Sequence, residues 1–515
     1  MATVEEELMT VRQRLRDGEN VSDALHTLNT LLAATGSGAR IQEFASFLSL
    51  QLLFETLSTV ASSSEELRSL TCRILGKIFA SLPPEEVCKQ RLYLELGLQH
   101  DREEVRRLCL DAISGHLGAA GVREMMGSRT MFHLVTQIVG DDSLHCAGLA
   151  SELLLAVLAH PASLDPAVRS GLLIDMEGLV AKSDTVRFRV YDLVVRLSLS
   201  NDESFEFAVS TRLLHRMLEE LQSDDVLVQM NSVELVLSLL DGKQGASFLE
   251  RQGVVGTMHG LLLSVQNDPL GSIIVPSIFK FYGHISCSNA VDFPAVTQRY
   301  PEFLASVLTA CLSPEDDTRW GIAVDTLGFL GSTPPGREAL NSSAERSREV
   351  VRSLGEVIAR GRSDLRIRAL HTFSVIFSCP EDSSEEINKE GWSSEQYFHH
   401  IHPDLPSVIM SLLKQPFEDL LTAGLELLRS LASHHWGQKI LSGQPGLLEF
   451  LLDRRPSLSK SGKETKYEVV SALVNSSTAE KCFGSPNFLK LRKYYREGPF
   501  FVVGEQAVAM EESAE

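Results

Sequence analysis

The sequence predicts an all-α fold, a right-handed α-solenoid of HEAT/armadillo-like helical repeats, and three observations carry that prediction. Acidic residues that open apolar helical segments return at a near-constant interval. Inside each segment the apolar residues return every three or four positions. No stretch alternates apolar and polar residues for long enough to make a strand.

The interval is read from Asp101, Asp142, Asp184, Asp225, Asp268, Asp317, Asp364 and Asp419, whose successive differences are 41, 42, 41, 43, 49, 47 and 55. HEAT and armadillo units run to roughly 40 to 47 residues. One step back from Asp101 lies another such helix, Glu65 to Phe79. The apolar sets Val105, Leu108, Ile113 and Leu117, then Val186, Val190, Leu193, Val194 and Leu197, then Leu365, Leu370, Phe373 and Ile376 each fall on one stripe at 3.6 residues per turn. The Asp ahead of each helix is expected to cap free backbone N–H groups and to complement the helix dipole, each effect contributing about 0.5–1 kcal/mol.

A second helix in the unit is opened by glycine, as at Gly253-Val254-Val255 and Gly446-Leu447-Leu448. The parallel phrases Gly242-Lys243-Gln244, Gly336-Arg337-Glu338 and Gly437-Gln438-Lys439 are expected to supply left-handed helix ends that force a turn. Prolines fall between helices, at Pro83-Pro84, Pro334-Pro335 and Pro403 to Pro406. A single amphipathic hairpin cannot bury its apolar face, so neighbours must stack around a continuous core beside a long concave groove. About ten repeats are therefore expected over 61–500 as one continuous solenoid. Residues 1–60 form a helical cap (Leu8, Val11, Leu15, Leu25, Leu28, Leu31, Leu32), 380–396 an inserted acidic loop, and 501–515 a disordered acidic tail.

The chain of 515 residues is 43% hydrophobic and 23% charged, the composition of a folded protein. A net charge of -20, from 48 basic and 68 acidic residues, repels a phosphate backbone, so no nucleic-acid partner is expected. Its eight cysteines, Cys72, Cys88, Cys109, Cys146, Cys287, Cys311, Cys379 and Cys482, lack CxxC spacing, and most are expected in the core. The acids of Met-Ala-Thr-Val-Glu-Glu-Glu occupy the place of a secretory signal's basic region, and the longest apolar run, Leu153 to Ala159, is far short of the roughly 20 residues that span a membrane. A soluble protein of the cytoplasm, and also the nucleus, is expected. The sequons at Asn20, Asn341 and Asn475 are then idle.

Chemistry is sparse. Ser461-Gly462-Lys463 has Ser457 where a phosphate loop needs glycine and Glu464 where it needs a hydroxyl. His399, His400, His402, His434 and His435 crowd together, but the first three read as a loop without the i, i+4 spacing of a zinc helix. Neither GxSxG nor a strand-end GxGxxG occurs. No enzyme, no metal and no cofactor are expected. The candidate partner-binding residues are Arg106, Arg187, Arg319, Trp320 and Arg366, at the starts of the helices that line the groove in HEAT-type stacks. The competing account is that the arginines pair with acids of their own or the next repeat, each exposed pair contributing at most about 1 kcal/mol. Trp320, Tyr494 and Tyr495 serve equally as hot-spot anchors or as core.

Several phrases are more specific than periodicity: Val186-Arg187-Phe188-Arg189-Val190-Tyr191, Gly321-Ile322-Ala323-Val324-Asp325-Thr326-Leu327-Gly328, Lys466-Tyr467-Glu468-Val469-Val470, Phe483-Gly484-Ser485-Pro486-Asn487-Phe488-Leu489 and Glu497-Gly498-Pro499-Phe500-Phe501-Val502. In them the chain resembles the family of 26S proteasome non-ATPase regulatory subunit 5. That resemblance implies a chaperone for assembly of the regulatory particle base. It would bind ATPase subunits (regulatory subunits 7 and 4) and non-ATPase regulatory subunit 2, and leave before the mature proteasome forms. It would be a monomer on its own. The alternative is an armadillo-type transport or scaffold adaptor that binds peptides in its groove. Such adaptors carry a Trp with an Asn one turn later, whereas Trp320 is followed by Val324, and Trp392 and Trp436 sit in loop-like contexts.

Overall fold

Long helices recur along the chain at the interval the acidic residues predict, and within each compact unit one lays its apolar stripe against the next. The computed structural model describes residues 2–35, 38–59, 64–159, 164–265, 273–378, 393–454 and 458–501, and among them there is no strand. The chain divides into two compact units, Met1–Glu220 with Asp241–Gln244, and Leu221–Leu240 with Gly245–Glu515.

The first unit is built on α1 (Val21–Ala34), α2 (Glu65–Ser81), α3 (Glu103–Ser114), α4 (Leu144–Leu158) and α5 (Asp184–Ser198), each packed on the one before. Further helices join them, among them Arg91–Leu98, Arg129–Ile138 and Pro166–Val180. Val190, Val194 and Leu197 of α5 and Val105 and Ile113 of α3 are buried, as their spacing requires. Removing a side chain of that size from water stabilises by about 1.5–3 kcal/mol.

The second unit repeats a fuller pattern of short helix, middle helix and long spine helix. Its spine is α6 (Val226–Leu240), α7 (Val275–Ser286), α8 (Asp317–Ser332), α9 (Ser363–Ser378), α10 (Glu418–Ala432) and α11 (Lys460–Asn475), again packed in order. The fold class is thus the expected all-α stack of helical repeats.

Capping departs from expectation. A cap needs extended backbone with its side-chain oxygen over the first turn. Ser64, Ser143, Ser183, Asp316 and Ser459 supply it for α2, α4, α5, α8 and α11. Of the repeated acids only Asp225 does so, accepting from Leu227 N at 2.8 Å. Asp184, Asp317, Asp364 and Asp419 lie inside the first turn, where they complement the dipole. Asp101 and Asp142 precede the caps, and Asp268 lies outside the described residues.

The glycine phrases are corrected as well. Gly253 and Gly446 have φ of +71° and +79° and open helices Val254–Val265 and Leu447–Leu452 as expected. Gly336 and Gly437 are not left-handed. They sit in the first turn of helices Pro334–Ser342 and His435–Gly443, where the chain doubles back onto the end of the spine helix. A Cβ there would overlap the carbonyl oxygen of Leu330 or Leu431, six residues earlier. The third copy of that approach is made by Gly245 against Leu239. Glycine is needed for contact between backbones, not for handedness.

His399 and His400 belong to helix Ser394–Ile401, capped by Ser393 and anchored by Tyr397, Phe398 and Ile401, rather than to a loop. Trp436 is likewise helical and buried, with its ring centroid 5.3 Å from Phe398 and 5.7 Å from Phe377. Trp392, most of the acidic insertion and residues 502–515 of the tail lie outside the described residues. Of the seven described cysteines, all free, Cys109, Cys146 and Cys311 are buried and Cys287 is exposed. Among the described residues no helix is long and apolar enough to cross a membrane.

Candidate interaction surface on the spine helices

Each spine helix buries one stripe and leaves another open, and in the second unit the open stripes carry a ladder of ion pairs between neighbouring helices. Glu234 of α6 accepts a hydrogen bond from Ser277 at 2.6 Å and faces Lys280 of α7 at 4.0 Å. Asp325 of α8 takes a bidentate grip from Arg368 of α9, at 3.0 and 2.7 Å. Gly321, one turn before Asp325, clears the space that the guanidinium occupies. His371 of α9 meets Glu426 of α10 at 2.7 Å, and Arg429 of α10 meets Glu468 of α11 at 2.6 Å. Its hydrogen bonds to the Asp325 carboxylate hold the Arg368 guanidinium above its ordinary pKa.

Beside the charged rungs runs a short apolar row. The His284 and Phe329 rings of α7 and α8 are 5.3 Å apart, and Phe329 and Val375 of α9 are 38% and 45% exposed. Half-exposed ion pairs like the charged rungs contribute little to folding, about 0–1 kcal/mol each.

In the first unit a cleft of about 540 Å³ lies between α2 and α3. Small residues, Gly76, Ala80 and Ala112, form its floor, with Arg73, Arg107 and Asp111 around it. Glu104 on its wall is engaged by Arg68 at 2.7 Å. Burial pushes the Cys72 thiol beside it up to about 12 and raises those of Cys109 and Cys311 further, so these thiols stay protonated at neutral pH. Groups of His, Cys, Asp and Glu able to hold a metal ion do not occur among the described residues.

Of the five residues singled out from the sequence, Arg106 and Arg187 lie on α3 and α5 of the first unit, and Arg319, Trp320 and Arg366 lie in the first turns of α8 and α9, before the rung residues Asp325 and Arg368. Arg106 is held by Asp141, at 2.6 and 2.9 Å, and donates to His100 O at 2.6 Å. Arg187 bridges Asp184 at 3.0 Å and Glu220 at 3.1 Å. Arg366 donates to Ala359 O at 2.7 Å. Arg319 lies over the Phe279 ring at 6.0 Å with its Nε buried and unbonded. Trp320 is 1% exposed and donates to Cys311 O at 3.0 Å. Among the described residues no hydrogen bond or ion pair joins any two of the five.

The first turn of a spine helix lies against the end of the preceding helix. A long donor there folds back onto that helix's free carbonyls, where a cation also suits the dipole. Arg106, Arg366 and Trp320 are staples of this kind. The open rungs sit further along, and a sequence signal for them exists: the partners Asp325–Arg368, Glu152–Arg196 and Arg429–Glu468 are separated by 43, 44 and 39 residues, about one repeat. Opposite charges recurring at the repeat interval mark the open face, whereas a basic residue after a helix start marks a staple.

Comparison with known proteins adds the following. The family described as "Proteasome non-ATPase 26S subunit" matches residues 2–515. The 26S proteasome non-ATPase regulatory subunit 5 of Bos taurus is 30% identical over 491 residues, covering 95% of this chain and 96% of that protein. Its Homo sapiens counterpart is 29% identical over 493 residues, covering 95% and 96%, and that of Drosophila melanogaster is 27% identical over 502 residues, covering 95% of each. Among solved structures, importin beta superposes with a TM-score of 0.56 at 12% identity, over 96% of this chain and 63% of that one, a likeness of fold alone.

Proposed function

The chain belongs to the proteasome non-ATPase 26S subunit family, and from that membership we propose that it is a chaperone for assembly of the regulatory particle base. In this reading it binds ATPase subunits in a precursor module and departs before the mature 26S proteasome forms. The partners are regulatory subunits 7 and 4 of the base and non-ATPase regulatory subunit 2, the setting is the cytoplasm and nucleus, and the free protein is a monomer without catalytic activity.

The observation that carries the reading is the open ladder on the second unit's spine, Glu234–Lys280, Asp325–Arg368, His371–Glu426 and Arg429–Glu468. A temporary holder must cover a partner widely yet release it. Many exchangeable pairs give a broad contact whose individual terms are small, so a competing interface with a modest advantage displaces it by mass action. Arg319 and Arg366 then shape the face from the first turns of α8 and α9, Trp320 supports it from the core, and Arg106 and Arg187 hold the first turns of α3 and α5 in the first unit.

Capturing the full chain from a cell lysate and identifying what accompanies it tests this. Free base ATPases without core particle are expected. Recovery of import cargo, or of nothing proteasomal, would sink the proposal. The pair Asp325→Asn with Arg368→Met should reduce capture while leaving the thermal transition within about 2 °C of the parent, because the exposed pair contributes at most about 1 kcal/mol.

A further inference from the structure

The last helix, Ser485–Glu497, turns Phe488, Leu491 and Tyr494 inward against α11 and its neighbours. The stripe on its other side, at i, i+3, i+4 and i+7, is Leu489, Arg492, Lys493 and Arg496, all exposed, with Leu489 62% exposed. In a chain of net charge -20, residues 481–496 hold five cations, Lys481, Lys490, Arg492, Lys493 and Arg496, and not one acid.

Nor are these cations neutralised from elsewhere. The nearest acid in sequence, Glu497, is committed to Arg454 at 3.0 Å and stands 3.9 Å from Lys493. Glu480 accepts a hydrogen bond from Ser485 at 2.9 Å. Among the described residues Lys490, Arg492 and Arg496 have no ion-pair partner, whereas Arg106, Arg366, Arg368 and Arg429 of the spine are tied to acids or carbonyls of their own chain. Tyr495, beside Arg496, is stacked on Tyr467 at 5.5 Å and held by a hydrogen bond from the Tyr467 hydroxyl at 3.2 Å. The helix is therefore fixed in orientation, and its cations are presented in one row.

We propose that this face is a docking site for an acidic amphipathic segment of a partner protein, its carboxylates meeting Arg492, Lys493 and Arg496 and an apolar side chain resting on Leu489. Charge complementarity and the apolar residue at the head of the row select that occupant. A nucleic acid would match the cations but leave Leu489 unused, and the strongly acidic remainder of the chain would repel it. The proposal stands apart from the assembly role, since it names the chemistry of the partner and not its identity.

The test is fluorescence anisotropy with the full chain and a labelled helical peptide of about 14 residues that carries glutamates and one leucine at helical spacing. Beside it run a single-stranded RNA of equal charge and the free peptide corresponding to residues 502–515. The peptide should bind, weaken as salt is raised, and bind at least tenfold more weakly to the variant R492E/K493E/R496E. Leu489→Ala should weaken it about threefold. Should the triple reversal disturb folding, Lys493→Glu alone, at a side chain 78% exposed, must still reduce binding. Unchanged binding by these variants overturns the proposal. Equal affinity for the RNA overturns it in favour of a general polyanion surface, and equal affinity for the 502–515 peptide assigns the face to the chain's own tail.

Discussion

Replacing Gly437 with alanine should destabilise the second unit although the glycine sits in a helix, where alanine is ordinarily the better residue. Alanine in a helix interior is favoured over glycine by about 1 kcal/mol. At Gly437 the new Cβ would stand 2.9 Å from the Leu431 carbonyl carbon and 3.2 Å from its Cα, and would overlap the carbonyl oxygen. All three atoms are backbone at the end of α10, so no side chain can rotate to make room. Overpacking at the upper end of its usual range, about 3 kcal/mol, outweighs the propensity gain and leaves a net loss of about 2 kcal/mol. Gly148 in α4, with nothing within 4 Å of its would-be Cβ, is the control, and alanine there should stabilise by about 0.5–1 kcal/mol. Because a repeat array loses structure locally, the measurement is hydrogen exchange of the amides of α10 and helix His435–Gly443, alongside urea denaturation. Faster exchange confined to that layer is expected for Gly437→Ala, and none for Gly148→Ala. If the two alanines behave alike, the backbone-contact account of these glycines is wrong. Gly336→Ala should repeat the result two layers earlier, its Cβ lying 2.7 Å from Leu330 Cα.

Three further outcomes follow from the charges. Asp141→Ala should cost about 2–3 kcal/mol in thermal or urea unfolding, since it strands Arg106, whose side chain is only 15% exposed, and the coupling in a double-mutant cycle with Arg106→Met should exceed about 1 kcal/mol. The equivalent cycle for Asp325 and Arg368, with side chains 43% and 41% exposed, should give less than about 1 kcal/mol. Lys466 is 3% exposed, and burial pulls its pKa from 10.5 down to about 8. Above pH 8 the unfolded chain keeps the Lys466 proton that the folded chain gives up, so the stability of the parent relative to Lys466→Met should rise by up to about 3 kcal/mol between pH 8 and 10. Absolute stability should fall above about pH 9, because burial keeps the Cys72, Cys109 and Cys311 thiols protonated in the folded chain, and above about pH 10 the buried hydroxyls of Tyr191, Tyr282 and Tyr397, held up at about 12, add to the fall.

Much of the fold was legible because spine helices need an apolar stripe every layer, and a stripe at 3.6 periodicity survives in one sequence. The interval list located α3 to α6 and α8 to α10 by their acids. What stayed hidden depends on three-dimensional approach. Whether Asp184 or Ser183 caps α5 is decided by which residue is extended, and both are good capping residues. Gly242 and Gly245 stand three apart in one phrase, and only the path of the chain selects Gly245 for the contact with Leu239. His400 reads as loop because Pro403 follows closely, yet Tyr397, Phe398 and Ile401 bury one face of a helix that ends just before it. The arginines were found by position, but the direction in which Arg106 and Arg366 fold back depends on a neighbouring helix end that a linear pattern does not display. The ladder of Asp325 and Arg368 is written in the sequence as a charge repeat at helix middles, a register that the acids opening the helices do not mark.

The bonds that tie one layer to the next have another consequence, for the order in which the chain can fold. They span 35 residues for Arg106–Asp141, 43 for Arg368–Asp325 and 57 for His434–Phe377. At about 5–20 residues per second, a ribosome delivers each such segment in roughly 2 to 12 s, far longer than a helix needs to form. A layer can therefore close on its predecessor while the next is still being synthesised. At any moment the growing end exposes the apolar stripe of a single unfinished layer, so the stretch of chain open to misassociation during synthesis stays about one repeat long.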